Sequence, residues 1–413
     1  MIDIAVIGAG NRARKYLSCL PDGVRVCCLV EPEPLRLELA ARQCAVPPEG
    51  CYSSSEAFFA VEHPGIQAVI VAAPDRLHVP LSLLSINRGW HVLLEKPVAP
   101  SEAEYRMLMD AAAAVGVHVG VCLEMRFHPY FRRIREIVES GAIGDVVSVD
   151  HVEHIGPDRM AHTFVRGLWS RRQDAGPIFL SKCCHDADFL LSLVGGTVED
   201  VTSEGRIGKF HAPALRPIPV EAGQEGNPPL RCIDCSLKDC LYSAVHLYRE
   251  RREWVSGFDV PDGSTLEEVI ETELREGRYG RCVYHCDNNV YDTQGVTARL
   301  SNGIQLSMAL EGITTREGRT IIIHGTAGTL EADDARITVT PATPEETSFH
   351  GLTVESVRKA FTEDYSALSH EPLHAGADRL LVEDFFTAIA EGREPSATLA
   401  SAFEGHRLCY LAD

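Results

Sequence analysis

The first 123 residues alternate between two patterns. Short, almost wholly apolar runs at residues 2–7, 24–30, 66–72, 91–94 and 117–123 are separated by stretches that predict helices over 12–20, 34–44 and 79–88. Runs that are apolar at nearly every position suit parallel strands covered on both faces, and their alternation with helices predicts a doubly wound parallel sheet. After residue 123 the pattern changes. Residues 131–140 form an amphipathic helix with basic residues on its polar side, and longer runs follow at 146–153, 290–300, 304–312, 320–325 and 335–339. These alternate polar with apolar, and Ser301, Asn302 and Gly303 make a tight turn between two of them. Such a pattern predicts a large open, mainly antiparallel sheet. The chain therefore reads as two α/β domains, residues 1–123 and 124–413, with closing helices over 375–391 and 399–411. Residues 209–229, rich in Pro and Gly, read as irregular loop.

Composition narrows the class. The chain has 413 residues, enough for two cores, and 45% of them are apolar. A formal charge of −20 argues against nucleic acid, whose phosphates favour a basic face. No apolar stretch is long enough to span a bilayer, so no membrane partner is expected. The sequence opens directly on a strand pattern, without a secretory leader, and a cytoplasmic location is expected. In that setting the fourteen cysteines are expected as thiols or metal ligands rather than disulfides.

The chemistry begins where the first strand ends. Gly8-Ala9-Gly10-Asn11-Arg12-Ala13 is a G-x-G-x-x-A turn between a strand and a helix. Gly8 permits the tight turn, Gly10 lets backbone approach a pyrophosphate, and Ala13 keeps helix close to strand. The helix N-terminus offers free N–H groups to the anion, with Asn11 and Arg12 beside it. Glu31, 21 positions beyond Gly10 and at the end of the second strand, stands where a carboxylate holds the adenosine ribose hydroxyls. A carboxylate there repels a 2′-phosphate and favours NAD over NADP, while nearby Arg36 could accept such a phosphate. Two later strand ends, Ala73-Pro74 with His78 and Glu95-Lys96-Pro97, lie at the sheet edge where ligands of such folds bind.

Glu95-Lys96-Pro97 downstream of this glycine turn resembles the Gfo/Idh/MocA family (glucose–fructose oxidoreductase, inositol dehydrogenase and rhizopine catabolism). Pro74, His78, Arg126-Phe127-His128-Pro129, His185 with Asp188, and the run Gly325-Thr326-Ala327-Gly328-Thr329-Leu330-Glu331 extend the resemblance over the whole chain. It implies a Rossmann domain, an α/β domain with an open sheet, a homodimer or homotetramer, and NAD(P)-linked oxidation of a secondary alcohol of a sugar or cyclitol. Lys96 and His185 match the family's catalytic positions, and the bond before Pro97 is commonly cis in the family. One position departs. Where usual members carry an aspartate four residues before the histidine, this chain has Ser181, in the run Ser181-Lys182-Cys183-Cys184-His185-Asp186. This looks like a Lys-Cys-Cys-His-Asp branch of the family. Lys182 can share a helix face with His185, and two neighbouring lysines lower each other's pKa, so Lys182 joins Lys96 and His185 as a candidate base. Cys183 and Cys184 read as helix packing.

Polar and aromatic groups flank that helix. Arg126, His154, His162, Arg166, Trp169 and Asp188, with Asp287 and Asn288 farther on, suit a hydroxyl-rich ring, bonding its edge and stacking on its apolar face. Cys232, Cys235 and Cys240, with Cys282, Cys286 or His285 as a fourth ligand, have spacing for a structural zinc. Three functions are expected to compete. The first is an NAD-dependent dehydrogenase of a sugar, glycoside or cyclitol. The second is a glycosidase that uses tightly held NAD for transient oxidation and elimination. The third is a sugar- or nucleotide-sensing regulator without catalysis.

Overall fold

The first sheet follows from the apolar runs. In the computed structural model, which describes residues 1–210, 230–237, 239–342 and 360–413, six parallel strands run in the order β3-β2-β1-β4-β5-β6. They are β1 (Ile2–Ile7), β2 (Val24–Val30), β3 (Cys51–Tyr52), β4 (Ile66–Val71), β5 (His91–Leu94) and β6 (Val119–Val121). Alternate residues face opposite ways. Ala5, Val69 and Val92 enter one apolar cluster, while Ile4, Ile70 and Leu93 enter another across the sheet. This two-sided burial is why the runs are apolar throughout.

The second sheet has eight strands in the order β14-β13-β12-β11-β7-β10-β9-β8. Its members are β7 (Val146–Ile155), β8 (Val198–Arg206), β9 (Thr293–Leu300), β10 (Gln305–Glu311), β11 (Glu317–Gly325), β12 (Gly328–Ala332), β13 (Arg336–Pro341) and β14 (Phe361–Asp364). Every pair is antiparallel except β7 with β10. The Ser301–Gly303 turn joins β9 to β10, with Gly303 at φ +85°. Inward residues such as Val149, Met308, Ile321 and Leu330 pack against the helix Ile178–Val194, including its Cys183 and Cys184, as helix packing requires. β8 carries no apolar alternation of its own; its residues are mostly exposed, and pairing with β9 holds it at the sheet edge.

Of the last two helices, Ala377–Glu391 packs back on the first sheet, while Leu399–Leu411 bridges both, with Leu408 and Cys409 in the core of the second sheet. Phe385 and Phe386 cover one face of the parallel sheet, and Leu399 and Phe403 the other. The chain thus returns to its first sheet, a long-range closure. Among the described residues no helix is long and apolar enough to cross a membrane. All fourteen cysteines carry free thiols. Of the loop read over residues 209–229, residues 211–229 lie outside the described residues.

Candidate active site

The glycine turn has the shape its sequence requires. Gly8 sits at φ +92°, and a Cβ there would lie 2.4 Å from the Ala72 carbonyl oxygen, so only glycine fits. A Cβ on Gly10 would meet nothing within 4 Å, which leaves that approach open for a ligand. Gly10 caps the helix Asn11–Leu17, and buried Ala13 holds the helix against the sheet. Glu31, at the end of β2, accepts from the Ala9 N–H at 2.7 Å and the Glu33 N–H at 3.0 Å. Its carboxylate braces the turn and still has lone pairs for a hydroxyl donor. An open backbone cradle at a helix N-terminus beside a fixed carboxylate fits a dinucleotide.

Other residues proposed for the cofactor serve as the floor of the site. Arg12 reaches Glu95 Oε1 and Asp378 Oδ1, each at 2.9 Å, and lies over the Tyr16 ring. Tyr16 Oη also donates to Glu95. Arg12 therefore spends its charge within the protein, and its partner Asp378 comes from the helix Ala377–Glu391. Arg36 is likewise paired, its Nε donating to Asp259 at 2.8 Å. His78 is buried and links two strand-end loops, with Nδ1 2.7 Å from Pro97 O and Nε2 2.9 Å from Ala73 O. The Lys96–Pro97 bond is cis.

The crevice forms where the loop after β5 meets the helix Ile178–Val194. Lys96 Nζ donates to the Ser181 carbonyl oxygen at 2.9 Å. The Ser181 hydroxyl turns back to Ile178 O at 3.3 Å and contributes no acid. His185 lies one turn further along, with Nδ1 3.4 Å from Glu124 Oε2. Trp169 Nε1 donates to Asp75 Oδ2 at 3.0 Å. A cavity of about 110 Å³ opens beside this point, lined by Asp75, Arg76, Pro97, Arg172, Gly176 and Leu180 among others.

The electrostatics divide Lys96 from His185. Burial, and then the neighbouring Lys96 charge, push the His185 pKa well below the ordinary histidine value, so its imidazole is neutral. For Lys96 burial works downward, but the neighbouring acids Glu95, Asp75 and Glu124 favour the charged form, and the ammonium stands above the usual lysine value. Burial pushes the Cys184 thiol up to about 12, which keeps it protonated. Burial also raises Asp75, against the pull of His78 and Lys96.

Lys182 does not join Lys96. Its Nζ lies 2.6 Å from Glu153 Oε1, on the side of the helix that faces β7. Arg319 reaches Glu153 at 3.2 Å and Asp186 at 2.5 Å, and His151 Nε2 is 3.2 Å from Asp186. The two lysines therefore sit in separate surroundings, Lys96 at the Ser181 carbonyl and Lys182 in the Glu153–Arg319 cluster. His151, Glu153 and Asp186 place ligand atoms within 4.8 Å of one another, but the Lys182 and Arg319 charges already balance the two carboxylates.

Most of the proposed substrate residues have protein partners. Arg126 and Asp188 form a buried two-armed ion pair at 2.6 and 2.7 Å, and Arg126 also reaches Ser401 in the last helix. His162 stacks on Trp254 and Tyr279, with Nδ1 2.8 Å from Tyr248 Oη. Arg166 is fully buried and donates to the carbonyls of Arg281 and Tyr242. Asp287 pairs with Arg171 and Arg281, Asn288 donates to Phe210 O, and His154 contacts Thr320. Of this set, Trp169 reaches the crevice, through Asp75. Among the described residues, the sulfurs of Cys232, Cys235, Cys240 and Cys282 do not gather within ligand distance, and Arg166 donates to Cys232 Sγ at 3.5 Å. The zinc expectation therefore has no geometric support.

Glu124 and Asp75 were not singled out by sequence reasoning. Both follow parallel strands, β6 and β4, so their position at the ligand-binding edge was the available signal.

Comparison with known proteins agrees with this architecture. Residues 2–123 match the sequence model of the oxidoreductase family with an NAD-binding Rossmann fold (Gfo/Idh/MocA), and residues 135–412 match that family's C-terminal α/β domain. YteT of Bacillus subtilis (strain 168), named as an oxidoreductase, is 26% identical over 377 residues, covering 89% of this chain and 82% of its own. The NAD(+)-dependent scyllo-inositol 2-dehydrogenase of the same organism is 25% identical over 209 residues, covering 49% of this chain and 57% of its own. An Agrobacterium radiobacter oxidoreductase, solved with NAD+, L-tartaric acid and magnesium, superposes with a TM-score of 0.66 at 16% identity. That match covers 99% of this chain and 94% of the other.

Proposed function

The chain belongs to the Gfo/Idh/MocA oxidoreductase family, and from that premise we propose that it is an NAD-dependent dehydrogenase acting on a secondary hydroxyl of a sugar, glycoside or cyclitol. The observation that carries the reading is the placing of Lys96, bonded to the Ser181 carbonyl, and of His185, one turn further along that helix beside Glu124, at the same edge of the parallel sheet as the glycine turn. Oxidising an alcohol requires a base for the hydroxyl proton and a fixed positive charge for the oxygen as it loses that proton. Neutral His185 takes the proton. Lys96 holds the oxygen through its ammonium, and Glu124 steadies the imidazolium that forms. Bound NAD+ supplies the hydride acceptor, held by the Gly8–Ala13 turn and Glu31. Trp169, positioned by Asp75, offers an apolar face to the ring. The inositol dehydrogenase among the relatives supports a polyol substrate. The same reading assigns the chain to a branch that carries Lys-Cys-Cys-His-Asp at residues 182–186, and to the cytoplasm, a setting that its free thiols support. A homodimer or homotetramer covers the open sheet face.

The test is to incubate purified protein with NAD+ and a panel of cyclitols, sugars and aryl glycosides, following NADH absorbance and aglycone release together. NADH without aglycone is the expected result. Aglycone without NADH would replace the reading with redox-neutral glycoside cleavage. Silence on both, with NAD+ bound, would replace it with a regulator.

A further inference from the structure

The segment between β8 and β9 builds a small apolar cluster of its own, including Leu247, Tyr248, Ile270 and Leu274. Phe258 is anchored there, its ring 5.4 Å from Tyr248 and 5.5 Å from Tyr279. The next residue, Asp259, leaves the cluster and lands on the cofactor domain. One oxygen lies 2.8 Å from Arg14 Nη2 and the other 2.8 Å from Arg36 Nε. Arg14 belongs to the helix that begins at the glycine turn, and Arg36 lies five residues beyond Glu31. Three positions further on, Asp262 pairs with Arg42 at 2.7 Å.

An arginine just past the end of β2 is the group that would receive the 2′-phosphate of NADP. Here its charge is already answered. Burial opposes the charged form of Arg36, but Asp259, Glu31 and Glu33 together raise its pKa. A 2′-phosphate, which carries nearly two negative charges, would have to displace Asp259 or share the site with three carboxylates. NAD lacks that group and meets no such conflict. We infer that Asp259, carried in from the second domain, is a cofactor-specificity residue that excludes the 2′-phosphate by occupying Arg14 and Arg36. The inference rests on the NAD-dependent reading above. It places part of the cofactor choice 223 residues away from Arg36 along the chain.

The experiment measures dissociation constants for NAD+ and NADP+ by calorimetry, with no turnover needed. The proteins compared are wild type, Asp259→Asn and Asp262→Asn, all full length. Wild type should favour NAD+. Asp259→Asn should tighten NADP+ at least about tenfold while NAD+ changes by less than about threefold, a shift of ~1.4 kcal/mol in discrimination. Asp262→Asn removes a neighbouring tether and should leave the ratio alone. An unchanged ratio in Asp259→Asn, equal weakening of both cofactors, or a wild type that prefers NADP+ would overturn the inference. A wild type that binds neither dinucleotide would instead overturn the dehydrogenase reading, and this inference with it.

Discussion

Glu124 Oε2 and His185 Nδ1 stand 3.4 Å apart, across the junction between the turn that follows β6 and the helix Ile178–Val194. The carboxylate comes from the turn after the last strand of the first sheet, whereas the acid implied by the family resemblance would come from the histidine's own helix, at the position of Ser181. An acid beside Nδ1 orients the imidazole and steadies it once it is protonated. Glu124→Gln should lower kcat by about 10- to 100-fold, and His185→Ala by about 10²- to 10⁴-fold. If Glu124 acts through His185, the double variant is no slower than His185→Ala alone. Additive losses would separate the two residues.

The depressed His185 pKa sets the direction of the pH profile. The base works when neutral, so its contribution is lost as pH falls through the folded-state pKa. Burial and the Lys96 charge place that value well below the ordinary 6.5. kcat/KM should therefore be level through neutral pH and fall only in more acid solution. An acid limb centred at or above the ordinary histidine value would contradict the assignment.

Lys96→Ala should cost at least about 10³-fold in kcat, since it removes the cation that faces the substrate oxygen. The pyrophosphate turn and Glu31 lie outside that contact, so the NAD+ dissociation constant should stay within about threefold of wild type. Turnover near the wild-type rate would end the proposal for Lys96.

The parts of the site carried by local chemistry were legible in the sequence. Gly8 reads as a glycine position because its turn excludes a Cβ, and Glu31 and Lys96 read from their place at strand ends. What stayed hidden depends on partners distant in sequence. Arg12 resembles a phosphate ligand until Asp378, 366 residues away, is seen to hold it. His162 resembles a sugar ligand until Trp254, Tyr248 and Tyr279 close around it. Glu124 is one acid among many until the helix bearing His185 crosses it. The same limit applied to the fold: the parallel runs were plain, but the edge strand β8 borrows its conformation from β9, and the C-terminal helices give no local sign that they return to the first sheet.

Lys182 should prove structural. Its pairing with Glu153 sits in a buried cluster with Arg319, Asp186 and His151. Removing one partner of a buried pair leaves an uncompensated charge, so Lys182→Met should lose about 3 kcal/mol in urea unfolding. Lys182→Met combined with Glu153→Gln should recover part of that loss. If Lys182→Met instead kept full stability and lost turnover by about 10³-fold, Lys182 would be the base after all.

His406 ties the final helix to the loop carrying Lys96. The residue is fully buried; Nδ1 lies 3.0 Å from Ala402 O, and Val98 N–H donates to Nε2 at 3.2 Å. One nitrogen donating and the other accepting defines a neutral ring. Burial pushes its pKa down to about 4, from 6.5 in an exposed histidine. Above the unfolded value neither state is protonated and the full stability is present. Between 6.5 and about 4 the unfolded chain takes up a proton that the folded chain refuses, so stability falls with pH. The slope is about 1.4 kcal/mol per pH unit, and the whole loss is on the order of 3 kcal/mol. His128 and His162, each also pushed down to about 4 by burial, add to the same acid loss. His406→Gln keeps a donor and an acceptor but cannot titrate. Its urea stability should therefore fall less steeply than wild type between about pH 7 and pH 4.5, by about 1 kcal/mol per unit, while the contributions of His128 and His162 cancel in the comparison. Parallel slopes for the two proteins would show that His406 does not titrate differently on folding.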